Sequence, residues 1–148
     1  MPIRPSEFDA VDHWLEPLLI NLPPMLIVVT GPLGAGKTTL SRFLAWYFNI
    51  SLVETDHYLV PHKEITYDPN EVNRIIMHRH EIGRPVIVEG TAIFPLLAEI
   101  NRTPDAIIQL RRKPANRRSS SSEAKLYNPS VWGFDQCLTY QITVTQHD

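Results

Sequence analysis

The sequence predicts an α/β fold, a three-layer α/β/α sandwich around a short parallel sheet of four or five strands. Three observations carry this. Four short apolar runs, at residues 25–29, 50–54, 85–90 and 106–110, are largely continuous rather than alternating, which is how strands buried on both faces of a parallel sheet read. Between them lie stretches with helical spacing, at 37–48, 70–82 and 93–100, and strands that alternate with helices imply βαβ units. A glycine-rich turn at 31–38 separates the first run from the helix that follows it.

Each element follows from its residues. Over 5–22, Phe8, Val11, Trp14, Leu15, Leu18 and Leu19 recur at helical spacing, with Ser6 as N-cap and Pro23-Pro24 as the stop, so an N-terminal amphipathic helix is expected over 1–22. The first strand is Met25-Leu26-Ile27-Val28-Val29. The helix at 37–48 sets Leu40, Phe43, Leu44 and Tyr47 on one face. The second strand ends at Thr55-Asp56, and 57–69 is a polar and aromatic loop. Val72, Ile75, Ile76 and Arg79 mark the helix at 70–82, which Gly83 and Pro85 end. The third strand closes on Glu89-Gly90. After the fourth, residues 111–122 are basic and then serine-rich, and 111–130 reads as a mobile, lid-like segment. The end admits a helix at 132–138 and a strand at 140–145.

Length and charge narrow the classes. With 148 residues, 43% hydrophobic, the chain suits one domain, 1–148, without room for large additions. A net charge of −2 does not support a basic nucleic-acid surface, so no nucleic-acid partner is expected. A lone cysteine, Cys137, allows neither an internal disulfide nor a cysteine-based metal site, and a cytoplasmic location is the default expectation. Asp9, Asp12 and Glu16 stand where a signal peptide needs an apolar stretch, and no run is long enough to span a bilayer, so no membrane is expected.

The turn carries the most specific chemistry. Gly31-Pro32-Leu33-Gly34-Ala35-Gly36-Lys37-Thr38 matches G-x-x-x-x-G-K-[ST] without a gap, between a buried strand and a helix. Its glycines let the backbone N–H groups converge on phosphate oxygens, and the helix N-terminus adds partial positive charge. Lys37 is expected to reach the β- and γ-phosphates of ATP, and Thr38 to ligate Mg²⁺, with Gly31, Leu33, Gly34, Ala35, Gly36 and Thr39 completing the cradle. The class thereby narrows to a P-loop NTPase fold. Ligands of such sheets bind at the carboxyl ends of the strands, and Gly31, Asp56, Glu89 and Arg111 all follow strand ends.

Two carboxylates stand out there. Asp56 suits a general base that orients and deprotonates a substrate hydroxyl; the plain alternative is a turn aspartate. Glu89 ends a buried strand, where a carboxylate is costly unless paired or near a metal, so it is read as a Mg²⁺ contact through water, with an ion pair as the alternative. No N-K-x-D occurs and no D-x-x-G follows the third strand, which turns the reading from GTPases to small-molecule kinases.

Four pieces in order then resemble the uridine kinase and phosphoribulokinase branch of P-loop kinases: the P-loop, Glu54-Thr55-Asp56-His57-Tyr58, Ile65-Thr66-Tyr67-Asp68-Pro69, and Val86-Ile87-Val88-Glu89-Gly90. The similarity spans about residues 25–112. It implies Asp56 as base, Glu89 near Mg²⁺, and Tyr58, Tyr67 and Asp68 near the acceptor. Where that family carries an arginine-bearing lid, this chain has Arg111-Arg112-Lys113 through Arg117-Arg118, so Arg112, Arg117 and Arg118 are candidates to stabilise charge on the transferring phosphoryl group; a solvated basic loop is the alternative. The family's histidine between aspartate and proline is missing, the loop at 57–69 is short, and part of the adenine pocket is expected to be reduced. Shikimate- or gluconate-kinase-like chemistry on another small alcohol therefore stays open.

The other candidates read blandly. His57, His62, His78 and His80 form no zinc pattern, Trp14, Trp46 and Trp132 read as core or interface, and Ser119 to Ser122 as linker. Two functions follow: a kinase acting on a small-molecule acceptor, or a nucleotide-binding regulator that holds ATP without transfer.

Overall fold

The computed structural model describes residues 7–32, 34–55, 68–112 and 125–144. The first helix, α1 (Glu7–Leu15), is shorter than the periodicity suggests. Pro17 is the reason: it has no N–H to give, and its ring crowds the carbonyl four residues back. The chain tightens there into a 3-10 turn, Glu16–Leu19, with Pro17 in its first positions. The apolar stripe survives the change, since Phe8, Val11, Leu15 and Leu19 are all buried.

The remaining elements alternate in chain order: β1 (Leu26–Thr30), α2 (Lys37–Phe48), β2 (Ser51–Glu54), α3 (Pro69–Glu81), β3 (Val86–Glu89), α4 (Ile93–Glu99), β4 (Ala106–Arg112) and β5 (Leu138–Val144). The strands form one five-stranded sheet in the order β2-β3-β1-β4-β5. Every neighbouring pair is parallel. β1 and β3 lie side by side, and their crossovers leave toward opposite edges, that of β1 to β2 and that of β3 to β4, so the crevice above their carboxyl ends is where ligands of such sheets bind.

The pleat sorts the strand residues into two cores. Leu26, Val28, Val53, Val86, Val88 and Ile107 face α3 and α4 and meet Val72, Ile76, Phe94 and Leu97. Ile27, Val29, Ile87, Ala106 and Ile108 face α1 and α2 and meet Phe8, Val11, Leu40 and Leu44. Helices on both faces make the three layers expected. By the same alternation Glu54 and Glu89, two residues on from Leu52 and Ile87, stand on the α2 side.

Two segments differ from expectation. β4 runs on through Arg111 and Arg112, which pair in register with Thr143 and Val144 of β5. The first two residues assigned to the lid are thus strand. Residues 113–124 lie outside the described residues, and Pro129–Trp132 is a 3-10 turn. The helix allowed at 132–138 does not form: Gly133, at φ 81°, ends that turn and leads into β5. The tryptophans also separate, for Trp14 packs on Tyr140 whereas Trp46 is exposed. Among the described residues no helix is long and apolar enough to cross a membrane.

Candidate functional site

The P-loop leaves β1 through Gly31 and closes on α2 at Gly36. Gly31 has φ 152°, and a Cβ there would lie 2.7 Å from the Leu110 carbonyl oxygen of β4. Glycine at this position therefore lets the loop pass the neighbouring strand. Gly36 has φ 94° and is the N-cap of α2, so no side chain caps the first N–H groups of that helix. Those donors, with the helix dipole behind them, form an anion-binding end. Lys37 is buried, and its Nζ donates to the Pro32 carbonyl oxygen at 2.9 Å, which folds the ammonium over the loop. Ala35 N also donates to that carbonyl, at 3.3 Å. Gly34 and Thr39 are exposed at the mouth of the loop.

Beside this end, Thr38 Oγ1 donates to Glu89 Oε2 at 3.1 Å. Glu89 is 1% exposed. A hydroxyl and a carboxylate, one from the helix and one from the adjoining strand, are hard oxygen donors of the kind Mg²⁺ takes together with water and phosphate oxygens. Among the described residues no group of three or more His, Cys, Asp or Glu is set to hold a metal unaided. That also suits Mg²⁺, which is seldom caged by protein alone. The residues present therefore fit Mg²⁺ bound alongside a nucleotide.

Two threonines that sequence reasoning passed over tie down the backbone at the strand end that carries this carboxylate. Thr55 Oγ1 donates to the Glu89 carbonyl oxygen at 2.7 Å, and Thr30 Oγ1 to the Gly90 carbonyl oxygen at 2.8 Å. Both are wholly buried, at the ends of strands on either side of β3. A threonine at the end of two neighbouring apolar strands was the available signal, since a buried hydroxyl needs a partner and the strand carbonyls there have run out of ladder.

A second charged pair lies next to the first. Arg42, one turn after Thr38 on α2, donates through Nε and Nη2 to both carboxylate oxygens of Glu54, the Nη2 bond being 3.0 Å. Glu54 stands in register beside Glu89. The Arg42 guanidinium is held above its ordinary basicity chiefly by its hydrogen bond and charge contact with Glu54, with a smaller contribution from Glu89.

The structure thus brings Lys37, Thr38 and Glu89 together at the carboxyl edge of the sheet. Asp68 caps α3: its Oδ1 accepts from Asn70 N at 3.1 Å and Glu71 N at 3.3 Å, with Pro69 at the helix start. Arg112 is the last residue of β4. Leu33, Asp56, Tyr58, Tyr67, Arg117 and Arg118 lie outside the described residues.

Comparison with known proteins agrees at the level of fold. A gluconokinase from Sinorhizobium meliloti 1021 superposes with a TM-score of 0.56 at 19% identity, over 85% of this chain and 86% of that one. A sugar kinase from Janibacter sp. HTCC2649 gives 0.50 at 16% identity, over 82% and 86%. In sequence, the chain is 45% identical to a shikimate kinase of Caldicellulosiruptor saccharolyticus over 42 residues, 28% of this chain. It is 26% identical to human adenylate kinase 8 over 99 residues, 55% of this chain. These matches take in 24% and 20% of the relatives' own lengths. No family model matches the chain. The fold is the three-layer α/β/α fold of P-loop NTPases.

Proposed function

We propose that this chain is an ATP- and Mg²⁺-dependent kinase that transfers the γ-phosphoryl group to a hydroxyl of a small metabolite. The observation that carries the reading is the Thr38–Glu89 hydrogen bond of 3.1 Å, set against the uncapped start of α2 and beside Lys37. A P-loop alone indicates phosphate binding. A buried carboxylate on the adjoining strand, aimed at the P-loop hydroxyl, adds a place for the metal that phosphoryl transfer uses.

In this reading the N–H groups of residues 34–38 cradle the β- and γ-phosphates, and Lys37 turns from the Pro32 carbonyl to a phosphate oxygen. Thr38 and Glu89 would hold Mg²⁺, which would supply neutralisation of the charge on the phosphates. Little covalent work remains for the protein, so placing the acceptor hydroxyl is the main task left. Asp56 takes that role and accepts the proton. Its chain neighbour Thr55 is tied by its hydroxyl to the Glu89 carbonyl. Tyr58 and Tyr67 line the acceptor, Asp68 sets the start of α3 behind it, and Arg112 and Arg117 offset charge on the moving phosphoryl group.

The acceptor is nucleoside- or sugar-like. Four short motifs support the uridine-kinase branch; the shikimate kinase, gluconokinase and sugar kinase among the similar proteins point instead to hydroxylated acids and sugars. We favour the latter class. The test is an ADP-release screen over nucleosides, sugars and hydroxy acids, run with the wild type and Asp56→Asn. One acceptor class should drive ADP release, and Asp56→Asn should keep ATP affinity while cutting transfer by about 10²-fold or more. ATP binding without any acceptor-dependent release would replace the kinase with the nucleotide-binding regulator.

A further inference from the structure

The carboxyl edge of the sheet holds more charge than the proposed reaction uses. Glu54 and Glu89 are register partners on adjacent strands, so their Cα atoms are about 4.8 Å apart. Both face α2. There, Thr38 and Arg42 stand four residues apart on one face of the helix. Each helix residue takes one carboxylate: Thr38 takes Glu89, and Arg42 takes Glu54. Arg42 carries the long arm of this set and is mostly exposed, whereas the Glu54 side chain is only 12% exposed. The Glu89 carboxylate belongs to the strand one spacing away from the one that Arg42 holds.

We infer that Glu54 is a positioning residue that sequesters Arg42, so that Glu89 stays turned to Thr38 with its charge available to a divalent cation. The inference rests on the metal role given to Glu89 above. A carboxylate that received Arg42 would be drawn from Thr38 and neutralised, and the guanidinium would bring a positive charge to where the cation must sit. The bidentate fork geometry explains the choice. Arginine matches a carboxylate that offers both oxygens, as Glu54 does, better than one that already accepts a hydroxyl bond on Oε2.

The experiment removes the charge of Glu54 and then of its partner. Binding of a fluorescent ATP analogue is titrated with Mg²⁺ in the wild type, Glu54→Gln, Arg42→Gln and the double variant. Glu54→Gln should raise the Mg²⁺ concentration for half-maximal binding by about threefold or more, because Arg42 then turns to Glu89. Adding Arg42→Gln should restore the wild-type midpoint. An unchanged midpoint in Glu54→Gln overturns the inference. So does a raised midpoint that Arg42→Gln fails to restore, since Glu54 would then serve the cation itself. Should the wild type bind no nucleotide, the reading of the site fails separately, and the Arg42 Nε–H resonance of the ligand-free protein decides the inference. That resonance should respond to Glu89→Gln only when Glu54 is already glutamine, and a response equal in both backgrounds overturns the sequestration.

Discussion

Gly31→Ala tests the reason for the first glycine of the loop. A Cβ at this position would meet the Leu110 carbonyl oxygen at 2.7 Å and the Leu110 Cβ at 3.1 Å. The obstacle is backbone, and β4 is hydrogen-bonded to β1 on one side and β5 on the other, so it cannot step back cheaply. The residue would also have to hold φ near 152°. Backbone strain of about 1–3 kcal/mol and overpacking of about 1–3 kcal/mol give a total loss of about 2–6 kcal/mol. Gly36→Ala is the control. Its φ of 94° disfavours alanine, but nothing lies within 4 Å of the added carbon, so only the conformational penalty of about 1–2 kcal/mol applies. Urea unfolding followed by circular dichroism reads both. With a slope of about 2 kcal/mol/M, Gly31→Ala should lower the midpoint by about 1–3 M at unchanged slope, and Gly36→Ala by less. Equal losses in the two variants, or a Gly31→Ala loss below about 1 kcal/mol, would refute the close-approach argument.

Lys37→Ala should weaken ATP·Mg²⁺ binding by about 10- to 100-fold, the scale of a lost charge-assisted hydrogen bond, in a calorimetric titration. Because Lys37 is buried and braces Pro32, a small fall in melting temperature should accompany it, contrary to what a solvent-facing lysine would give. Glu89→Gln keeps the shape and a hydrogen bond to Thr38 but loses the charge; the Mg²⁺ needed for half-maximal nucleotide binding should rise about 10-fold, and an unchanged requirement would remove Glu89 from the metal. Thr55→Val leaves the Glu89 carbonyl without its buried donor, and unfolding should show a loss of about 1–3 kcal/mol. No loss there would mean that the threonine clamp does not hold the strand end.

What could be read in advance depended on how much of an element's physics is local. β1 and β3 were legible because strands covered on both faces are apolar throughout, and the start of α2 was legible because the P-loop motif prescribes it. β5 was not. At the sheet edge its burial is partial, as the exposed Leu138 beside the buried Ile142 shows, so Leu138–Val144 carries no continuous apolar signal. The end of β4 was misjudged for a related reason. Arg111 and Arg112 extend past the end of β1 and pair only with β5, where charged residues are tolerated. Strand order is a matter of which strand a crossover returns beside, and periodicity does not record it. At the site, Glu89 declared itself as a carboxylate ending an apolar strand. Thr30, Thr55, Arg42 and Glu54 did not, because their roles depend on which strands and helix lie beside them. The contrast between Asp68 in the loop reading and Asp68 as a helix cap has the same origin: the residue's neighbours on α3 take up its Oδ1.

The β4–β5 pairing has a consequence for how this chain can change. Gln109 donates from Nε2 to the Tyr127 carbonyl oxygen at 2.7 Å, and Gln141 donates to Gln109 Oε1 at 3.3 Å. Tyr127 is thereby moored to the same strand from which the basic segment departs at Arg112. Arg112 and Tyr127, on either side of that stretch, are held by sheet hydrogen bonds and an amide relay. Lengthening such a closed excursion costs only about 0.6 kcal/mol per doubling of its length. The sheet therefore sets few limits on the length of the stretch between Arg112 and Lys125.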